Sequence, residues 1–320
     1  MSTPGKDGPE TPDEEVCASM PIAFVGLGNM GLPMAVALTA AGFSVTAYDI
    51  AENGRRRAEE RGIAVSEDLA GAAAGAKVGI LMLPGSDIVD AVVDQGGFAR
   101  LLAADAVCID MSSSEPLRTR ALAERVRRDG RRLLDAPVSG GVRGAEAHAL
   151  TIMVGGEAGT VEEVRSVLQT FGRVVHVGGI GTGHALKALN NLLSASHLWA
   201  TSEAVLVARQ IGIDPTVFLA VVNTSTGRSW SSEHKWPDLI LPGTYESGFS
   251  LALLRKDLGI AARLGKASNV PMLLGAEVAA LFERAGRGLP TDADHTEIAR
   301  WLETHTATPD GTEPPTTDQG

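Results

Sequence analysis

The feature that most constrains this chain is a glycine-rich loop, residues 26–31 (GLGNMG), between an apolar run and a helix-forming stretch. The apolar run, residues 22–25 (IAFV), has the length and composition of a buried strand. Residues 31–41 favour a helix, and residues 44–48 (SVTAY) follow as a second strand-like run. A G-x-G-x-x-G loop in this context lets the backbone approach a pyrophosphate at the helix N-terminus. The sequence therefore predicts a dinucleotide-binding βαβ unit. The cofactor contacts expected in this loop are Gly26, Gly28, Asn29, Met30 and Gly31.

Asp49, at the end of the second strand-like run, bears on which dinucleotide is bound. An acidic side chain at this place accepts hydrogen bonds from the ribose hydroxyls and repels a 2′-phosphate. We therefore expect NAD in preference to NADP. The arginines at 55–57 leave an alternative open, because one of them could reach a 2′-phosphate, whereas such a run is otherwise a solvated helix face.

Beyond residue 50, strand-like and helix-forming stretches alternate, which predicts a doubly wound, Rossmann-type parallel sheet in an α/β fold. After Gly183 only helical patterns remain, the longest of them at 183–211. Its apolar positions, among them Leu193, Val207 and Ile211, are spaced three, four or seven residues apart. Later helices are expected to be capped by Asp214 and Ser250, and the last one is expected at 292–303. We expect a dinucleotide-binding domain at 21–182, followed by an all-helical substrate and oligomerisation domain at 183–305. Residues 1–20 and 306–320 are polar and acidic, and we expect both tails to be disordered.

Composition excludes several classes of protein. The net charge of −11 includes no basic patch, and aromatic residues make up 4% of the chain, so we expect no nucleic-acid partner. The two cysteines, Cys17 and Cys108, indicate neither a disulfide framework nor a metal site. No apolar run approaches the roughly 18 residues of a membrane span, and no signal-peptide layout is present. A cytoplasmic location without a membrane partner is the expectation.

Two later segments carry candidate chemistry. Residues 135–141 (DAPVSGG) end a strand, and their glycines can turn backbone amides toward a substrate carboxylate, although an ordinary turn fits equally well. Residues 181–191 (GTGHALKALNN) open the long helix and place Lys187 and Asn191 four residues apart on one face. Oxidation of a hydroxyl by hydride transfer needs a base for the released proton. Partial burial would lower the pKa of Lys187 and suit it to this role. Spacing alone favours a surface lysine, and the dinucleotide loop together with the glycine turn at 139–141 favours the catalytic role instead.

Six segments in order along residues 21–303 together resemble the 3-hydroxyisobutyrate dehydrogenase family, within the 3-hydroxyacid dehydrogenases related to 6-phosphogluconate dehydrogenase. The segments are 26–35 (GLGNMGLPMA), 110–113 (DMSS), 135–141 (DAPVSGG), 151–156 (TIMVGG), 181–191 (GTGHALKALNN) and 256–259 (KDLG).

The resemblance implies a role for each matching residue. Lys187 takes the place of the catalytic lysine and Asn191 that of the substrate-binding asparagine. Substrate contacts are further implied for Ser139, Gly140, Gly141, Arg228 and Asp257, and cofactor contacts for Leu83, Pro84, Ser113 and Lys256. A solvated loop arginine fits Arg228 equally well, and without the resemblance the pair at 256–257 would be helix-surface charges.

Two positions depart from the family pattern. Ile88 stands where an asparagine near the cofactor is common, and His148 stands where a glycine is common. If the turn at His148 needs a positive φ, a histidine there costs strain.

The expected function is NAD-dependent oxidation of a short 3-hydroxy carboxylate, with 3-hydroxyisobutyrate as first choice. Reduction of tartronate semialdehyde or another small semialdehyde acid is the alternative. An imine reductase and a non-catalytic cofactor-binding module share the architecture but usually lack the lysine, so Lys187 argues against both. The resemblance also implies a homodimer or homotetramer.

Overall fold

A computed structural model of the chain describes residues 20–306. The predicted tails, 1–20 and 306–320, therefore lie outside the described residues except for Met20 and Thr306. The chain forms two compact units, the first extending to Ala188 and the second starting at Leu189. This division falls within the first turns of the long helix, later than the expected 182/183 boundary, because those turns are hydrogen-bonded to the sheet of the first unit.

The first unit is built on a nine-stranded sheet in the order β3-β2-β1-β4-β5-β6-β8-β7, with β9 paired to β8. The strands are β1 Ile22–Val25, β2 Val45–Tyr48, β3 Ala64–Val65, β4 Val78–Leu81, β5 Val107–Asp110, β6 Arg132–Asp135, β7 Val138–Ser139, β8 Leu150–Gly155 and β9 Gly172–Gly178. From β3 to β6 all neighbours are parallel, which confirms the doubly wound prediction. β8 runs antiparallel to β6 and β7, because the short connection from β7 cannot make the crossover that parallel pairing needs.

Helices cover both faces of this sheet. Their bounds are α1 Gly31–Ala40, α2 Glu52–Glu59, α3 Leu69–Ala73, α4 Ser86–Asp90, α5 Phe98–Leu101, α6 Pro116–Arg128, α7 Gly141–Glu146, α8 Ala158–Glu163 and α9 Arg165–Gln169, with a π-helical turn at Ala91–Gln95. Alternate strand residues enter two separate cores, as Phe24 and Val25 of β1 show. A sheet buried on both faces explains why its strands read as continuous apolar runs.

The second unit is helical, as predicted. Its helices are α10 Thr182–Gln210 (which begins in the first unit), α11 Pro215–Asn223, α12 Leu251–Ala267, α13 Leu273–Arg287 and α14 Ile298–Thr306, with a π-helical segment at Ser231–Ile240 and a 3₁₀ turn at His295–Glu297. Asp214 and Ser250 cap α11 and α12 through their side chains, as the sequence signals indicate. The last helix starts later than the expected residue 292, because Asp294 caps the 3₁₀ turn instead. Among residues 20–306, no helix combines the length and apolarity needed to cross a bilayer.

Candidate active site

The glycine-rich loop has the geometry that a dinucleotide needs. A Cβ at Gly26 would overlap the Met82 carbonyl oxygen, and one at Gly31 would overlap the Gly26 carbonyl oxygen. Gly26 also has a φ of +101°, a value that residues with a side chain rarely adopt. A Cβ at Gly28 would meet nothing within 4 Å, so this glycine leaves open space beside the loop. Two of the three glycines are thus required by the fold itself, and the middle one leaves room for a ligand.

The start of α1 also fits a pyrophosphate. Within the described part of the chain, the backbone amides of Gly28, Asn29 and Met30 donate to no other group. No side chain caps this helix. Uncapped amides at a helix N-terminus favour a bound anion, so these residues can hold the phosphates of NAD.

Asp49 follows β2 and is held in place by the loop. Its Oδ2 accepts a hydrogen bond from Leu27 N at 2.6 Å, and its Oδ1 accepts one from Ala51 N at 2.8 Å. Each carboxylate oxygen keeps a further lone pair, so Asp49 can still accept from the ribose hydroxyls of a dinucleotide. Gly54 packs against this carboxylate, since a Cβ there would lie 3.2 Å from Asp49 Cγ. The sequence pattern did not single out Gly54, because its role depends on contact with Asp49.

The three arginines of α2 do not form a uniformly solvated face. Arg55 Nη1 donates to the Asp49 carbonyl oxygen at 2.6 Å, and Arg57 Nη2 donates to the Leu27 carbonyl oxygen at 3.0 Å. Arg56 is exposed and donates to Asn53. Arg55 and Arg57 therefore brace the loop and the turn that carries Asp49.

Three further predicted residues of the first unit follow the carboxyl ends of neighbouring strands. Leu83 and Pro84 lie just beyond β4, and Ser113 lies just beyond β5. The register pairs Leu81 with Asp110, so the two strands end level with each other. The Leu83 amide donates to Ser112 Oγ at 3.0 Å, which joins the two turns directly. This edge is where open α/β sheets bind their ligands.

Residues 139–141 form the predicted glycine turn. Ser139 ends β7, while Gly140 and Gly141 have φ values of +135° and +64°. Both glycines are exposed, and the helix that they start, α7, packs against α1. The turn is therefore next to the helix of the cofactor loop, where it can hold an anionic group.

The start of α10 is anchored by a buried carboxylate. Asp135, the last residue of β6, accepts from Gly181 N at 2.6 Å and from His184 N at 2.8 Å. A carboxylate at this end of a helix also interacts favourably with the helix dipole. A Cβ at Gly183 would overlap the Met153 carbonyl oxygen, so the helix start lies tight against the sheet. Lys187, half-buried, comes one turn after this anchor.

In the second unit, Asn191, Lys256 and Asp257 come together. Asn191 Nδ2 donates to Asp257 Oδ2 at 2.6 Å, and Lys256 Nζ lies 3.3 Å from Asp257 Oδ1. Asp257 and Asn191 are buried, so Asp257 holds the amide of Asn191 in one orientation. Arg228 lies exposed in the loop after α11, and in the described structure it bonds to none of the three.

A buried lysine that contacts α10 was missed by the sequence patterns. Lys235, in the π-helical segment, is buried and donates from Nζ to Ser194 Oγ at 2.8 Å. Ser194 follows Asn191 by three residues on α10, so the two share a helix face. Burial lowers the pKa of Lys235 to about 8, while the charge of Asp294 acts in the opposite direction. The buried His295 feels the lysine charge in turn, and its pKa is also lowered, mainly by burial.

We expect Lys235→Met to stabilise the protein at pH 7. Below pH 8 the amine is protonated in the folded and unfolded states, so folding must bury its charge. Between pH 8 and the ordinary value of 10.5 the unfolded state binds the extra proton, so wild-type stability rises with pH. The advantage of Lys235→Met should therefore shrink by about 3 kcal/mol over this interval. Urea unfolding at pH 7 and pH 10 measures the change, with the exposed Lys266→Met as control. An advantage that stays equal at both pH values would contradict the expectation.

The two departures from the family pattern both lie at the surface. Ile88 is exposed. His148 is exposed and has a φ of +54°, so the condition for strain at this turn is met. Its Nδ1 lies 3.1 Å from the Thr170 carbonyl oxygen, a hydrogen bond that partly offsets the strain.

Each of the two units matches the model of a known protein family. Residues 21–179 match the model of the NAD binding domain of 6-phosphogluconate dehydrogenase. Residues 181–302 match the model described as NAD-binding of NADP-dependent 3-hydroxyisobutyrate dehydrogenase.

Individual relatives extend over most of the chain. It is 37% identical to 2-(hydroxymethyl)glutarate dehydrogenase of Eubacterium barkeri, over 85% of this chain and 90% of that protein. It is 39% identical to the mitochondrial 3-hydroxyisobutyrate dehydrogenase of Drosophila melanogaster, over 79% of this chain and 80% of that protein. Among solved structures, the Mycobacterium tuberculosis 3-hydroxyisobutyrate dehydrogenase with L-serine superposes with a TM-score of 0.82 at 32% identity, covering 88% of this chain and 99% of that one.

Proposed function

The chain belongs to the 3-hydroxyisobutyrate dehydrogenase family, and from this premise we propose that it oxidises 3-hydroxyisobutyrate with NAD. Its class is that of a nicotinamide-dependent dehydrogenase acting on the hydroxyl group of a hydroxyacid. The observation that carries the proposal is on α10, where Lys187 and Asn191 lie four residues apart and Asp257 orients the asparagine. Lys187 can act as the base that takes the substrate's hydroxyl proton, while the oriented amide of Asn191 binds the substrate beside it.

The proposed mechanism assigns each step to residues of this chain. The bound nicotinamide supplies the hydride acceptor. Lys187 accepts the hydroxyl proton at Nζ, and in the reverse direction it returns that proton to the carbonyl oxygen. Asn191 binds the substrate beside Lys187, and the turn at 139–141 binds the carboxylate. Asp49 and the loop at 26–31 hold the dinucleotide, and the remaining contacts follow the family roles of Leu83, Pro84, Ser113, Arg228, Lys256 and Asp257.

The substrate and the cofactor preference are tested together. We propose assaying the purified protein with NAD and NADP against 3-hydroxyisobutyrate, 2-(hydroxymethyl)glutarate and glycerate, the reduced form of tartronate semialdehyde. We expect the highest kcat/KM with 3-hydroxyisobutyrate and NAD, because the carboxylate of Asp49 repels a 2′-phosphate. A higher kcat/KM with NADP would contradict the cofactor proposal. Turnover of another acid in the panel would replace the substrate and leave the reaction class in place.

We propose that the enzyme is a homodimer or homotetramer that packs through α10. The stripe that the sequence shows along this helix is exposed, with Leu193, Val207 and Ile211 at 57%, 62% and 71%. The opposite face supplies buried residues such as Leu198 and Val205. Large apolar side chains aligned on one exposed helix face mark a protein interface. The cytoplasmic location expected from the sequence stays a prediction, since several relatives are named as mitochondrial.

Charging this stripe should dissociate the oligomer. We expect the double substitution of Val207 and Ile211 by aspartate to leave a monomer, because two carboxylates would have to be buried without partners. Size exclusion with light scattering distinguishes a 33.2 kDa species from its multiples. Gln210→Glu, an exposed polar position on the same helix, is the control and should leave the assembly intact. A wild-type protein that is already a monomer would contradict the proposal.

A further inference from the structure

Two buried carboxylates lie side by side at the carboxyl edge of the sheet. Asp110 ends β5, Asp135 ends β6, and the register pairs them directly. Their exposed fractions are 1% and 0%. Asp110 Oδ1 accepts from Ser112 N at 2.9 Å, and its Oδ2 accepts from Ser114 Oγ at 2.8 Å. Asp110 thus holds the turn that contains Ser113, while Asp135 holds the start of the helix that contains Lys187.

The imidazole of His184 lies between these two carboxylates. Its Nε2 is 3.7 Å from Asp110 Oδ2, and its Nδ1 is 3.9 Å from Asp135 Oδ2. Nδ1 is also within hydrogen-bond distance, 2.9 Å, of Thr119 Oγ1. Thr119 Oγ1 is also 3.0 Å from the Glu115 carbonyl oxygen, so this hydroxyl joins the ring to the start of α6, and the tautomer of His184 decides which group donates. The ring is fully buried, and Nε2 has no hydrogen-bond partner in the described structure.

These contacts connect two segments that the proposed function uses. Asp110, Thr119 and the turn between them belong to the segment that carries Ser113. His184 belongs to the helix that carries Lys187, three residues before it. The ring therefore links the Ser113 segment to the base of the catalytic helix at a place that water does not reach. Burial makes such a contact strong when it is satisfied and costly when it is removed.

We propose that His184 is a positioning residue that holds the Ser113 turn in a constant position relative to Lys187. It touches neither substrate nor cofactor in this role, and the proposal rests on the proposed function of those two residues. A displacement of about 1 Å at a reacting group costs on the order of 10²-fold in rate. Loss of the link should therefore lower kcat and change the Kd for NAD much less, because the Ser113 turn supplies only one of the proposed cofactor contacts and the glycine loop at 26–31 is untouched.

The test replaces each partner of the link separately and together. His184→Leu removes both ring nitrogens at similar volume, and Thr119→Val removes the hydroxyl at almost unchanged shape. We expect kcat to fall by at least about tenfold in each single variant and little further in the double variant, because both lose the same link. His184→Asn, whose amide can take the place of Nδ1, should recover part of the activity. Val167→Ala, which truncates a buried apolar side chain of the same unit and removes no polar group of this link, controls for lost stability and should keep wild-type kcat.

Amide hydrogen exchange provides a readout that does not depend on turnover. We expect His184→Leu to speed exchange at residues 111–119 and to leave residues 26–31 unchanged. Unchanged exchange at 111–119 would overturn the proposal, as would faster exchange with a wild-type kcat. A wild-type enzyme inactive on every acid tested would count against the proposed function, whereas the exchange result would still decide whether His184 links the two segments.

Discussion

Lys187→Ala is expected to lower kcat by about 10³-fold while NAD still binds, because a positioned acid–base group contributes about 10²–10⁴-fold. The buried carboxylate of Asp135 holds the start of α10, so the loss should come from the missing amine and not from a displaced helix. Steady-state kinetics and fluorescence titration with NAD measure the two quantities separately. The effect should appear in kcat, because proton transfer belongs to the chemical step.

Two further lysine variants sharpen this test. Lys187→Arg keeps a positive charge but cannot give up its proton at working pH, so it should be nearly as inactive as the alanine variant. Lys77→Ala removes an exposed lysine just before β4 and should leave kcat unchanged. An alanine variant that kept more than about a tenth of wild-type turnover would show that another group takes the proton.

Alanine substitutions at Gly28 and Gly31 are expected to affect different properties, NAD binding at Gly28 and the stability of the fold at Gly31. At Gly31 the new Cβ would overlap the carbonyl oxygen of Gly26, so the loop and α1 must separate. We expect a loss of about 3 kcal/mol in the free energy of unfolding, at the upper end of the usual cost of overpacking. At Gly28 the Cβ meets no protein atom, and no positive φ is recorded there, so the stability should not change.

The effect of Gly28→Ala should appear in NAD binding instead. Its Cβ enters the open space beside the loop, where the backbone has to approach the pyrophosphate. We expect the Kd for NAD to rise at least about tenfold, equal to about 1.4 kcal/mol. Thermal unfolding with and without NAD measures both consequences for each variant. Unchanged NAD affinity in Gly28→Ala would contradict the assignment of this loop to the pyrophosphate.

Several elements were predictable because their signals are local. The run at 22–25, its glycine loop and the following helix lie within about 20 consecutive residues, and α/β alternation repeats from there to β9. The caps at Asp214 and Ser250 were visible for the same reason. Two features could not be predicted from the sequence. They are the antiparallel pairing of β8 and the π-helical segment at 231–240, which contains Pro237. Pairing direction depends on a distant strand, and π-helical hydrogen bonds have no simple sequence period.

The exposed stripe of α10 shows the limit of a periodic pattern. Spacings of three, four and seven residues identify an apolar face of a helix, and α10 has two such faces. The pattern selected the face with Val207 and Ile211, which the structure leaves exposed, while Leu198 and Val205 enter the core. Periodicity reports that a face is apolar, and only packing decides whether it faces the core or another subunit.

The sequence by itself determined the fold class, the cofactor loop with Asp49, and the pairing of Lys187 with Asn191 on one helix. Each of these depends on neighbours in the chain or on a spacing of one helical turn. The tertiary structure alone decided that Asp257 orients Asn191 from 66 residues away, and that His184 lies between Asp110 and Asp135. It also decided that Lys235 is buried with a lowered pKa. Hydrogen bonds between distant residues and the exclusion of water are consequences of packing, and no local pattern in the sequence encodes them.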